Sequence, residues 1–168
     1  MRFTIRHTFA TDADTFWNQV FFDEAYNKEL FEGFLHFPLY KILQLDKQAD
    51  GTILRRIEAA PPVEIPAVAR KVIGDSTSYI EEGRFDPNTK TFRVNVTPKV
   101  GGDRIKTTIA IRCEPRGDKR VERIADVDNQ VKVFGVGKVI EAFIEKQTRD
   151  SYDASAEFTH RWISERGL

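Results

Sequence analysis

A series of strand-like segments followed by one very long helix constrains the fold of this chain more than any other feature. From Leu39 onward, segments of alternating apolar residues are separated by turn sequences such as "ADG", "DPNTK", "GGD" and "RGDK". Connections this short join neighbouring antiparallel strands, so the segments predict a meander. A helix then runs from about Val136 to Ser164, which at about 1.5 Å per residue is long enough to cross a whole domain.

The N-terminal part adds one strand and two short helices. "RFTIRHTF" alternates, which places its apolar residues and His7 on one face. "TDAD" supplies N-cap chemistry for a first helix, and Asp23 can cap a second. An antiparallel sheet must cover its apolar face, and only the C-terminal helix is long enough to do so. We therefore predict an α+β fold, in which a curved antiparallel sheet of about seven strands wraps around that helix.

Composition bounds the classes of function. The 168 residues fit one domain spanning 1–168, and 26 basic residues balance 26 acidic ones, so no net field attracts nucleic acid. The single cysteine, Cys113, excludes an internal disulfide and fits a reducing compartment. The sequence has no apolar run of signal-peptide or membrane-spanning length, and we expect a cytoplasmic protein.

The "GVGK" corner before the long helix does not fit a nucleotide-binding motif. A P-loop would need a glycine at the position of Lys132, and a dinucleotide fingerprint would need one at Ile140. The three histidines, His7, His36 and His160, are scattered, and no metal-ligand spacing occurs. We therefore expect neither a cofactor nor a metal.

The inner face of the long helix is uneven in size. It reads Ile140, Phe143 and Ile144, then Gln147, Ser151, Ala154 and Ser155, then Phe158 and Trp162. A helix that packs tightly on a sheet is apolar along its whole inner stripe. The small central residues predict either a space between helix and sheet or a closer approach of the two.

The element order, together with "FTIRHTF", "FWNQVFFDEAYNKEL", "SYIEEGRFDP" and "VDNQVKVFGVGKVIEAFIEKQTRDSYDASAEFTHRWI", resembles the START-like, helix-grip superfamily (SRPBCC), which includes the birch-pollen allergen fold. Within it, the chain is most similar to a bacterial family of like length and unassigned function. Its ending also resembles the sterol-binding domains joined to GRAM modules. The resemblance implies a fold shared by lipid carriers, hormone receptors, polyketide cyclases and hydrolytic enzymes, so it does not choose a reaction.

Strand alternation predicts which side chains face the helix. The expected ligand-binding residues are Arg55, Tyr79, Glu81, Phe92, Val94, Thr107, Ile109, Arg123 and Asn129 on the sheet, with Gln147, Ser151 and Ser155 on the helix. A buried charge needs a partner, so we expect Glu81 to pair with Arg55 or Arg123. The alternative is that each arginine lies near a strand end and reaches water.

Two further features leave alternatives open. His7 and Glu81 are weak candidates for acid-base catalysis, although a lone histidine on an apolar face is commonly a hydrogen-bonded core residue. The segment 63–74, "VEIPAVARKVIG", predicts an amphipathic turn of helix. It would form either a lid over the cavity mouth with transient membrane contact or a helix docked on its own domain.

The sequence favours a non-enzymatic carrier or sensor that encloses a hydrophobic, lipid- or sterol-like small molecule between sheet and helix. Arg55, Glu81 or Arg123 would hold the polar head of that ligand. One alternative is a polyketide cyclase- or dehydratase-like enzyme that uses His7 or Glu81. Another is a protein-interaction module whose cavity is filled by its own phenylalanines.

Overall fold

A single antiparallel sheet of seven strands is the centre of the structure. The computed structural model describes residues 1–168, except for the side chain of Ile73. The strands of the sheet are β1 (Arg2–Phe9), β2 (Leu39–Lys47), β3 (Ile53–Ala60), β4 (Tyr79–Asp86), β5 (Thr91–Pro98), β6 (Ile105–Pro115) and β7 (Val121–Val131). The spatial order is β1-β7-β6-β5-β4-β3-β2. Strands β2 to β7 form the predicted meander, and β1 returns to pair with β7.

Four helices complete the fold. The short helix α1 (Ala13–Phe16) continues into a π-helical segment, Trp17–Phe21, and the short helix α2 (Glu24–Lys28) continues into another, Glu29–Phe34. Helix α3 (Ala67–Ile73) follows β3, and α4 (Gly137–Arg166) ends the chain. Asp12 and Asp23 accept backbone N–H bonds of 2.8 and 2.7 Å at the starts of α1 and α2. Together with the sheet, these helices confirm the predicted helix-grip fold.

Strand β7 ends at Val131, although alternating apolar residues continue to Val133 in the sequence "VKVF". Val131 pairs with Ile105, the first residue of β6, so the chain beyond it has no strand partner. Phe134 consequently lies fully exposed in the loop before α4.

Two hydrophobic clusters lie at opposite ends of α4. The larger one surrounds the C-terminal half of the helix, where Trp162 packs edge-on against Tyr26 at 5.4 Å between ring centroids. The smaller one joins Ile140, near the start of α4, to Ala69 of α3 and Ile105 of β6. Because the bulky residues of α4 are concentrated at its ends, the sheet is held to the helix there.

Gly83 on β4 should be sensitive to the smallest substitution. A Cβ at this position would overlap the ring of Phe92, which lies over the glycine from β5. Phe92 is fully buried, so the ring has little room to move. Gly83→Ala should lower the free energy of unfolding by about 1–3 kcal/mol.

Urea denaturation measures this change, with Gly33→Ala as the control because a Cβ at Gly33 would meet nothing within 4 Å. Gly33→Ala should be neutral or slightly stabilising. Equal midpoints for wild type and Gly83→Ala would contradict the described packing of Phe92.

Candidate functional site

A cavity of about 280 Å³ lies between α4, the inner face of the sheet and the short helices. Of the predicted ligand-binding residues, those that line it are Arg55, Tyr79, Glu81, Phe92, Val94, Thr107, Ile109, Arg123, Gln147, Ser151 and Ser155. The alternation of the strands places the sheet residues on one face, as the sequence predicted. Whether they contact a ligand stays a prediction.

Asn129 is the exception among these residues, because it does not line the cavity. Its side chain is fully buried, and neither of its amide atoms has a partner among the described residues. The backbone of Asn129 pairs with that of Met1, and Thr107, its neighbour across the β6–β7 pair, lies on the cavity wall. Alternation gave the correct face for Asn129 but could not show that its side chain stays off the cavity wall.

The middle of α4 forms one wall of the cavity. Gln147, Ser151 and Ser155 lie on this wall, and so does Tyr152, which the sequence reading missed. Thr148, Tyr152 and Ser155 follow one another at helical spacing, a signal that would have included the tyrosine. The helix wall is therefore formed partly by small side chains and partly by two aromatic rings, those of Phe143 and Tyr152.

Further residues outside the predicted set also line the cavity. One group, from α2 and the chain that follows it, is Tyr26, Leu30, Phe31 and Phe37; another, from the segments flanking α3, is Pro61, Val63, Ile65 and Thr77. Val63 and Ile65 belong to segment 63–74, for which one reading was a lid over the cavity mouth. These contacts join positions far apart in the chain. Strand alternation is a local pattern and cannot predict contacts between such distant positions.

Arg55 and Glu81 form an ion pair on the sheet wall. The Nη2 of Arg55 donates to Oε1 of Glu81 at 2.8 Å, which is one of the two expected pairings. The guanidinium carbon also lies 4.8 Å from the ring centroid of Phe21 and 4.9 Å from that of Phe92. The pair is mostly buried, with 8% and 15% of the two side chains exposed.

Arg123 is buried without an ion-pair partner among the described residues. It donates to His7 Nδ1 at 2.9 Å, to the Tyr152 carbonyl at 3.3 Å and to Ser155 Oγ at 3.4 Å. Burial lowers the pKa of this guanidinium, since the charged form loses its hydration. The alternative expectation, that the arginines reach water from strand ends, is wrong for both Arg55 and Arg123.

His7 lies behind Arg123 and not on the cavity wall. Its Nδ1 accepts from Arg123, so Nε2 carries the proton and donates to Asp153 Oδ1 at 2.8 Å. Burial, and next the charge of Arg123, lower the pKa of His7 from its ordinary value. The expectation of a catalytic base in the cavity is therefore not met by the position of His7.

Several neutral groups complete the site. Tyr79 and Tyr152 both line the cavity. Burial raises the pKa of Tyr152 to about 12 and also raises that of Tyr79. Cys113 lies off the cavity wall, and burial raises the pKa of its thiol to about 12, so the thiol is not activated.

Helix α3 is docked on the chain itself. Ala69 is fully buried and Val72 packs with it against Ile105 and Ile140, while Arg70 and Lys71 are exposed. The side chain of Ile73, which the sequence placed on the apolar face, lies outside the described ones. The docked helix fits the second of the two readings of segment 63–74, and its role as a lid stays a prediction.

Adjacent glutamates on β4 provide a matched test of the Arg55–Glu81 pair. Glu81→Gln would leave the buried Arg55 without a counter-charge, and we expect a loss of about 3 kcal/mol in the free energy of unfolding. Glu82 pairs with Arg56 on the exposed face, so Glu82→Gln should cost less than about 1 kcal/mol. Urea denaturation compares the two variants, and equal losses would contradict the different burial of the two pairs.

The buried His7 should make stability depend on pH. Because its pKa in the folded chain is lowered from 6.5, the unfolded chain takes up a proton at higher pH than the folded one. This contribution to stability is fully present above about pH 6.5 and is lost as the pH falls below that value. The fall in unfolding free energy from about pH 7.5 to about pH 5 should be smaller in His7→Gln. An identical fall in the unfolding free energy of wild type and variant would contradict the lowered pKa of His7.

The described residues form neither a metal-binding cluster nor a membrane-spanning helix. No three His, Cys, Asp or Glu side chains in this part of the chain come together as a metal site requires. None of the described helices is long and apolar enough to cross a membrane.

Solved structures share this fold at low sequence identity. Norcoclaurine synthase from Thalictrum flavum superposes with a TM-score of 0.67 at 20% identity, over 98% of this chain and 88% of the other. The Zhui aromatase/cyclase from Streptomyces sp. R1128 gives 0.65 at 14%, over 97% and 95%. A START superfamily protein from Mycobacterium smegmatis gives 0.62 at 16%, over 96% and 98%. Identities this low show the fold alone, which is START-like.

Sequence comparisons give the family. No curated protein matches the chain. The family model described as a protein of unknown function, DUF2505, matches residues 4–163. Because the match spans nearly the whole chain, the protein belongs to the DUF2505 family.

Proposed function

We propose that this chain binds a hydrophobic, lipid-like small molecule in the cavity between the sheet and α4, and acts as a carrier or sensor. The observation that carries the proposal is the cavity itself, whose walls are mostly aliphatic and aromatic with a few charged groups. Sites that take small molecules have this composition, in which apolar walls supply affinity and polar groups fix the orientation.

Burial of the ligand would supply the affinity. Each CH₂ group removed from water contributes about 0.8 kcal/mol. A volume of about 280 Å³ is just below the usual range for ligand pockets, about 300–1,000 Å³, so it favours a compact ligand. The sheet wall offers Phe92, Val94 and Ile109 to an apolar body, while α4 offers Gln147 and Ser151 to polar groups.

The positions of the titratable groups favour a carrier over a cyclase-like enzyme. Acid-base catalysis needs a group within hydrogen-bond reach of the substrate. His7 lies behind Arg123, and Glu81 is held in its ion pair with Arg55. Two structural neighbours are an aromatase/cyclase and a synthase, but at 14% and 20% identity they support only the shared fold.

The cavity also weighs against the interaction-module reading, in which phenylalanines of the chain would fill the space. Phe21, Phe92 and Phe143 lie on its wall and leave the interior open. A transient membrane contact through 63–74 would be electrostatic, because Ala69 and Val72 pack against the domain while Arg70 and Lys71 are exposed. Such contact would be weak and would decrease with salt.

Ser151→Trp tests the cavity by filling it. The bulky side chain would enter the space next to the α4 wall, so binding of the neutral fluorophore N-phenyl-1-naphthylamine should weaken at least about tenfold, or about 1.4 kcal/mol. Glu157→Trp, on the exposed face of the same helix, is the matched control and should bind like wild type. Fluorescence titration measures both. Unchanged affinity in Ser151→Trp would mean that the fluorophore binds elsewhere and that the site is wrong.

A further inference from the structure

We propose that the cavity selects an amphipathic anion, a carboxylate on a compact apolar body, and that Arg123 is the counter-ion of its head group. This inference rests on the proposed function and adds the charge of the ligand to it. The observation behind it is an imbalance of charge on the cavity wall.

The cavity wall carries three charged side chains, Arg55, Glu81 and Arg123. Two of them neutralise each other, because Arg55 donates to Glu81 at 2.8 Å. The wall therefore holds one formal positive charge with no negative charge opposite it. A buried ion without a counter-charge is rare in proteins, because the loss of hydration is not offset.

The surroundings of Arg123 supply acceptors but no carboxylate. The carboxylate of Asp153 bonds to His7, so a neutral imidazole stands between it and Arg123. The Asp153 side chain is also 69% exposed and therefore hydrated. Asp153 is therefore a hydrogen-bond partner of His7 and forms no ion pair with Arg123 among the described residues.

The hydrogen bonds of Arg123 are also incomplete. A guanidinium has five N–H donors. Only His7 Nδ1 lies within 3.0 Å, the bonds to Tyr152 and Ser155 are 3.3–3.4 Å long, and Nε is buried without a partner. The rings of Phe9 and Tyr152, at 5.3 and 4.9 Å, give cation-π contact but no negative charge. The donor capacity of this arginine exceeds what the described residues accept.

A carboxylate in the cavity would complete this arrangement. It would accept charge-assisted hydrogen bonds from Arg123, which are stronger than those to neutral acceptors. Tyr152 lines the same cavity, and its hydroxyl can donate to the same head group. Arg55 is a poorer candidate, because its own carboxylate partner is already in place.

The test compares two ligands that differ in the head group only. Wild-type protein is loaded with the neutral probe N-phenyl-1-naphthylamine, which is then displaced by decanoate or by decan-1-ol. We expect decanoate to bind more tightly than decan-1-ol, by roughly 10- to 100-fold. In Arg123→Met this preference should disappear, while decan-1-ol and the probe still bind.

Arg112→Met is the matched control, because Arg112 lies on the outer face of β6 and pairs with Asp126. It should keep the wild-type preference for decanoate. Arg123→Lys keeps the charge and should keep part of the preference, so it serves if Arg123→Met fails to fold. The comparison of the two ligands on wild-type protein needs no variant.

Two outcomes would overturn the inference, and they are distinguishable from failure of the proposed function. If the probe and decan-1-ol bind but decanoate binds no more tightly, the cavity binds apolar molecules without selecting an anion. If the preference survives in folded Arg123→Met, another group holds the head. If neither the probe nor decan-1-ol binds wild-type protein, the proposed function itself fails.

Discussion

The contact between α4 and the sheet determines what the rest of this structure can do. Bulky residues at the two ends of the helix, Ile140 at one and Phe158 and Trp162 at the other, bury themselves in separate hydrophobic clusters. The smaller side chains between them leave a gap that the sheet does not close. A helix with a uniformly large inner stripe would merge the two clusters into one core and remove the cavity. The packing of α4 is thus concentrated at the two ends of the helix, and the open space lies against its middle.

The charges inside the cavity depend on that space. In a filled core, two arginines and one glutamate would carry a large desolvation cost. Here Arg55 and Glu81 pair against the aromatic wall formed by Phe21 and Phe92. Arg123 is supported by neutral acceptors and by the rings of Phe9 and Tyr152. Polar groups held in this way along an apolar wall are typical of a binding site, which supports the proposal of a ligand with a polar head.

Sequence reasoning predicted the fold well because alternation and turn chemistry are local signals. The period of two in β1 and in β5, and the caps at Asp12 and Asp23, depend on neighbours within a few residues. Alternation also predicted that Arg55 and Glu81 share one face, from which their pairing followed. Tyr152 was missed because the prediction for α4 was based on its small and polar side chains. Its helical spacing from Ser155 would have placed it on the same wall.

Other features of the site depend on tertiary distances that no local pattern encodes. Asn129 has the correct face but does not line the cavity, and His7 has the correct face but lies behind Arg123. The residues from α2 and from the segments flanking α3 reach the cavity only because the chain brings distant elements together. Charge balance on the wall likewise becomes visible only when distances show which arginine is paired.

The central claim is that the cavity holds a hydrophobic small molecule. Native mass spectrometry of the protein purified from its own host, followed by organic extraction and identification of the released material, tests it most directly. We expect a stoichiometric apolar or amphipathic molecule that leaves the protein on extraction. A protein that is isolated empty, and whose experimental structure shows the space between α4 and the sheet filled by its own side chains, would contradict it.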